Sequence, residues 1–99
     1  ITPQEREIDW GHDAEKIDRL VRIGGAWTTF RGERFKIWKA EANTHEVQGS
    51  PGQLVGDHVN TGKGVLRLIE VQSQNRARQA FDSWKLGARL EENSVFGDG

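Results

Sequence analysis

The 99 residues carry 14 Lys and Arg against 15 Asp and Glu, giving a net charge of −1, with 4 Trp, 4 Phe, 12 Gly and no Cys. A chain of this length buries one core; it excludes disulfides, thiol chemistry and Cys-type zinc sites, and its charge argues against capture of nucleic acid by the molecule as a whole. No apolar run reaches the roughly 20 residues of a membrane span and no signal peptide is visible, so a cytoplasmic setting is expected, while the start at Ile1 without Met reads as a fragment of a longer protein.

Residues 1–7 are polar and read as a linker remnant, leaving 8–99 as the domain. Ile8 and Trp10 place two apolar side chains on one face of an extended segment. A helix is predicted from about Asp13 to Ile23, with Asp13 as N-cap and Ala14, Ile17, Leu20 and Val21 as its apolar stripe. Gly24-Gly25 stops it.

From Ala26 the period falls to about 2. Residues 26–31 and 34–42 form strands around a reversal at Gly32-Glu33, with Phe35 and Ile37 on one face. Trp38 and Ala40 fall on the other face, so this strand either changes environment or carries a bulge. A loop covers 45–51, and short strands at 52–55 and 58–61 hinge near Gly56-Asp57. Gly62-Lys63-Gly64 is a hairpin turn, leading into the clearest strand, 65–72. There Leu66 and Leu68 give way to Ile69 and Val71, again the mark of a bulge. After a loop at 73–75, a short helix from about Ala80 to Leu86 packs through Phe81 or Trp84 and ends at Gly87. Leu90, Val95 and Phe96 close the bottom. A mainly β fold follows: a small barrel of five to six strands, of the oligonucleotide/oligosaccharide-binding type, with an N-terminal helix and a short C-terminal helix.

Active-site chemistry finds little support. His12, His45 and His58 lack partners at metal-ligand spacing, and Ser50, Ser73, Ser83 and Ser94 lack a nucleophile-elbow context. Gly62-Lys63-Gly64 has neither the spacing nor the following helix of a phosphate loop. Neither a catalytic nor a metal-binding residue is therefore assigned.

The charge pattern is more telling. Residues 21–40 carry Arg22, Arg31, Arg34, Lys36 and Lys39 against Glu33 alone, and 61–90 carry Lys63, Arg67, Arg76, Arg78, Lys85 and Arg89 against Glu70 and Asp82. Two such blocks make a one-sided positive face if the fold joins them; otherwise they are a mixed, solvated surface. Trp27, Phe30, Phe35 and Trp38 interleave with the first block. Most of these rings are needed for the core, which leaves one for the surface and makes Lys36 and Lys39 better candidates than any ring for contacting nucleic acid.

Three stretches resemble the carboxy-terminal domain of methionyl-tRNA formyltransferases. Ile8-Asp9-Trp10, followed by Ala14, Ile17 and Val21-Arg22, is similar to that family's opening. The strand Phe35-Lys36-Ile37-Trp38-Lys39-Ala40 is similar to its L-K-I-W-x-A stretch. The third runs from Pro51-Gly52 through Thr61-Gly62-Lys63-Gly64-Val65-Leu66, Val71-Gln72 and Arg76 to Gly87-Ala88-Arg89-Leu90. Two departures stand out: the loop at Ile23-Gly24-Gly25-Ala26 is shorter, and Asn75-Arg76-Ala77-Arg78-Gln79 replaces Gly-Lys-Lys-x-Met, with Arg78 restoring a charge one position later.

The resemblance implies an open barrel joined to an amino-terminal catalytic domain, which transfers a formyl group from 10-formyltetrahydrofolate to initiator methionyl-tRNA. The catalytic residues and the folate belong to that domain, so neither a catalytic residue nor a cofactor is expected here. The expected partners are tRNA and the catalytic domain, with no membrane. Lys36, Lys39, Arg76 and Arg78 would meet phosphates, joined by Arg22 and Lys63. The competing reading is a structural tail on a formyltransferase acting on a sugar nucleotide or another amine.

Overall fold

The computed structural model describes residues 6–44, 49–88, 90 and 94–97; the linker positions 1–5, His45 and Arg89 named above lie outside them. Helix α1 (Ala14–Ile23) begins where Asp13 accepts a hydrogen bond from the Lys16 amide at 2.7 Å, and ends at Gly24 with φ of 100°. Ala14, Ile17 and Val21 are buried as the apolar stripe requires, and Leu20 packs partly buried against the core. Ile8 and Trp10 are buried too, and the chain joins the body at Glu7, which bridges to Trp27.

Among the described residues six antiparallel strands follow: β1 (Trp27–Phe30), β2 (Glu33–Asn43), β3 (Leu54–Val55), β4 (His58–Asn60), β5 (Val65–Ser73) and β6 (Gln79–Ala80), then helix α2 (Phe81–Ala88). Their order in the sheet is β1-β2-β5-β4-β3, with β6 paired to β5. The two-residue turn between β1 and β2 is Arg31-Gly32, one position earlier than expected. Both residues have positive φ (52° and 81°), as in the turn type whose twist suits a hairpin. Two-residue β6 has no period of its own and is visible only through its pairing with Glu70 and Val71.

The bulge expected in β5 is present, the irregular pairing of β2 decides between its two alternatives in favour of a bulge, and the two lie opposite each other. In β2 the register shifts on either side of Lys39, moving the inward positions from Phe35 and Ile37 to Ala40 and Ala42. In β5 the inward positions move from Leu66 and Leu68 to Val71. Because side chains alternate, one extra residue flips the parity of everything beyond it. Paired flips let both strands stay apolar inward while the sheet bends.

Aromatic rings fill the enclosed space. Phe35 lies 4.8 Å from Trp84 and 5.0 Å from Phe96, centroid to centroid, and Phe30 lies 4.9 Å from Phe96. Phe96 does a second job. It bridges to Phe30 of β1, while Val95 bridges to Gln53 just before β3. The Phe96 amide donates to Gly52 O and the Gly97 amide to Thr29 O, both at 2.8 Å. The C-terminal segment thus joins the two edge strands and closes the bottom of an open barrel, the role expected of Val95 and Phe96.

Helix α2 contradicts one expectation: it runs through Gly87 to Ala88 instead of ending at the glycine. Arg31 donates to the Ala88 carbonyl at 2.7 Å, satisfying an end-of-helix acceptor that no sequence pattern within the helix announces.

Candidate nucleic-acid interface

Strand β2 turns Phe35 and Ile37 into the core and leaves Arg34, Lys36 and Trp38 on the opposite face. The bulge then places Lys39 outward directly after Trp38. Lys36 pairs in register with Gln72 of β5, and Lys39 with Glu70, which is itself paired with Ala80 of β6. Arg78 immediately precedes β6. Basic residues from the two halves of the chain are therefore brought together by β2–β5–β6 pairing.

Trp38 is the centre of this group. Its indole Nε1 donates to Gln72 Oε1 at 2.9 Å, which fixes the ring plane. The Arg78 guanidinium carbon lies 4.7 Å from the ring centroid, and Lys36 Nζ lies 5.6 Å from it. Cations at this range are drawn to the negative face of an indole. Glu70 is the acidic member: it bonds to Arg78 Nε and lies 3.9 Å from Lys39 Nζ. Gln72 Nε2 also donates to the Arg76 carbonyl at 2.9 Å, tying the loop after β5 to the same ring. A second ring repeats the arrangement, with the Arg34 guanidinium 4.1 Å from Trp27. Two half-buried rings, not one, therefore face outward, while Phe30 and Phe35 go to the core.

Of the six basic residues singled out from sequence, Lys36, Lys39 and Arg78 gather around Trp38 and Glu70, and Arg76 sits in the adjoining loop. Arg22 and Lys63 stand apart. Arg22 pairs with Asp18 on α1 at 3.0 Å. Lys63 lies in the β4–β5 turn, where its carbonyl accepts from the Ala14 amide at 2.9 Å. That turn adjoins the Asn43 end of β2, seven residues or roughly 23 Å of strand from Lys36. Glu70 and Gln72 complete the cluster although no sequence reading placed them in it, since only the register of β2 against β5 puts them there.

The two described histidines, His12 and His58, are held by carboxylates. His12 Nε2 is 3.3 Å from Asp9 Oδ2, and His58 Nδ1 is 2.7 Å from Asp57 Oδ1. Burial pushes the Asp57 carboxyl up, but the Arg67 hydrogen bond and the charges of His58 and Arg67 outweigh it and hold the group below its usual value. Among the described residues no three His, Asp or Glu side chains are grouped to hold a metal ion, and no helix is long and apolar enough to cross a membrane.

The family model for the formyl transferase C-terminal domain matches residues 1–89. A methionyl-tRNA formyltransferase from Streptomyces coelicolor is 37% identical over 106 residues, covering 99% of this chain and 34% of the relative. Its counterpart from Thermobifida fusca is 36% identical with the same coverage. The one from a Nocardioides species is 40% identical over 101 residues, covering 92% of this chain and 32% of the relative. The chain spans about a third of the length of the curated relatives it matches.

Proposed function

From the premise that the chain belongs to the formyl transferase C-terminal domain family, we propose that it is the tRNA-holding domain of a cytoplasmic methionyl-tRNA formyltransferase. Formyl transfer from 10-formyltetrahydrofolate belongs, in this reading, to a catalytic domain joined before Ile1. The names of the relatives quoted above favour a tRNA acceptor over a sugar nucleotide.

One observation carries the binding role: Lys36, Lys39 and Arg78, with Arg76 beside them, converge on one face around a fixed tryptophan. Phosphate contacts position a nucleic acid without reading its sequence, and long cationic side chains lose rotamer entropy when they make them. The Trp38 ring reduces that loss by holding Lys36 and Arg78 near their working positions. The domain grips the backbone and leaves the choice of acceptor to the catalytic domain.

Fluorescence anisotropy of labelled initiator tRNA with this chain, at low and high salt, tests the role. Binding at low salt that weakens steeply with added salt is expected, with a large loss in the variant Lys36→Glu with Arg76→Glu. No binding at low salt, or no loss in that variant, rejects the role. Trp38→Leu should weaken binding several-fold and Trp38→Phe less, because phenylalanine keeps a ring for the cations but loses the bond to Gln72.

A further inference from the structure

The chain enters the fold along the edge of β1 opposite β2. The Ile8 amide donates to Trp27 O at 2.8 Å, Glu7 bridges to Trp27 in parallel, and Trp10 Nε1 donates to Thr28 Oγ1 at 3.0 Å. Ile8 and Trp10 are both buried and anchor this arm in the core. Ahead of them the Arg6 guanidinium donates to the carbonyl of Gly24, the C-cap of α1. A helix end leaves carbonyls without intrahelical partners and carries partial negative charge, so a cation there gains on both counts. Gly25 completes the seat. Its φ is 81°, and a Cβ on it would stand 3.2 Å from Arg6 Cδ and Nη1, so only a glycine leaves the arginine room to lie across the loop. The seat is made from Ile23-Gly24-Gly25-Ala26, the loop in which this chain departs from the pattern it otherwise resembles.

Register ties this arm to the cationic cluster. Glu7, Trp27, Lys36 and Gln72 are successive partners across neighbouring segments of the sheet. At about 4.8 Å per step, the Glu7 backbone stands roughly 10 Å from that of Lys36. Gln72, in the same row, fixes the Trp38 indole, and Trp27 carries the Arg34 guanidinium on its ring. The point where the fold takes hold of the chain is therefore one end of the row on which the cluster is built.

We propose that Arg6 is a latch on the Gly24-Gly25 loop and a positioning residue for formyl transfer. By pinning the chain at this edge, it keeps the catalytic domain joined ahead of it close to a tRNA held on the same row. The positioning half rests on the tRNA-holding reading; the latch does not. Ile8 and Trp10 secure the arm without Arg6, so losing the latch frees residues 6 and 7 and leaves the barrel intact. A longer free tether lowers the effective concentration of one joined part at the other. Arg6 touches neither tRNA nor acceptor, so its loss weakens presentation of a tRNA that is still gripped.

Amide NMR relaxation of the 99-residue chain tests the latch, and kinetics of the two-domain protein test its role. The Glu7 amide should be as ordered as that of Trp27, and Arg6→Gln should release Glu7 while leaving Thr28 ordered. In the two-domain protein Arg6→Gln should lower kcat on methionyl-tRNA about threefold, with tRNA affinity by anisotropy unchanged. The rate on a methionyl-RNA hairpin too short to reach the barrel should stay as it was. Arg6→Lys, which keeps a cation at the helix end, should recover part of the lost kcat. A mobile Glu7 in the unmodified chain overturns the latch. An unchanged kcat overturns the positioning role, and so does an equal fall on tRNA and hairpin, which marks a general loss of structure. Formylation of tRNA that is indifferent to Arg6 leaves the holding role standing; an unmodified protein that neither binds nor formylates tRNA removes that role and the positioning role together.

Discussion

Glu70 opposes the cations around it, and that makes it informative. It occupies Arg78 and Lys39 in the free domain, so under the proposed tRNA-holding role an incoming phosphate competes with its carboxylate. Replacing it with Gln keeps the shape and removes the competitor. Glu70→Gln is expected to raise tRNA affinity several-fold at low salt, with the gain fading as salt screens both interactions; an unchanged affinity in the same titration would separate Glu70 from the interface. Asp57 carries a different prediction. Its carboxyl, depressed by Arg67 and His58 below the ordinary 3.8, favours the folded state above pH about 4, and that contribution disappears as pH falls through the lowered value. Urea titrations of the parent and Asp57→Asn should therefore differ at neutral pH and converge in acid.

At the scale of elements, two junctions hold α1 and the sheet edges. The His12 carbonyl accepts from the Gly62 amide at 3.0 Å, and a Cβ at Gly62 would strike the Gly11 carbonyl. Gly62→Ala should cost about 2 kcal/mol in urea unfolding, as overpacking against fixed backbone does. The C-terminal segment is the other junction. Phe96 is 2% exposed, and Phe96→Ala should cost about 4 kcal/mol through lost ring packing. The Leu54 amide, which donates to Ser94 O at 2.8 Å, should lose hydrogen-exchange protection in that variant more than amides in the centre of β5. Sequence patterning reached the bulge of β5, and named a bulge as one of two alternatives for β2, because a strand whose apolar parity changes along 35–42 or 66–71 stays apolar inward only by inserting a residue. It reached neither β6, two residues long and defined only by its pairing with Glu70 and Val71, nor the last turn of α2, whose Ala88 carbonyl is met by Arg31 far along the chain.

For the molecule as a whole, the sum of charges conceals how they are arranged. Under the proposed role, four cations meeting phosphates would make the logarithm of affinity fall with the logarithm of salt at a slope of about −3, which the anisotropy series would measure directly. A slope near zero would place tRNA elsewhere or nowhere on this domain. The sequence by itself determined the class of fold, the helix and its N-cap, the hairpin at 62–64, the bulge in 65–72, the change of parity in 34–42 and the family resemblance, since each rests on neighbouring residues whose conformational preferences are local. It also picked out two basic blocks and offered two outcomes for them, a positive face or a solvated surface. The tertiary structure decided between positions: the pairing of β2 with β5 and of β5 with β6 gathered Lys36, Lys39, Arg76 and Arg78, and left Arg22 and Lys63 apart. It also brought Glu70 and Gln72 to Trp38 and set Arg31 against the end of α2. The physical reason is that strand register joins residues more than 30 positions apart, through hydrogen bonds whose partners no local pattern specifies.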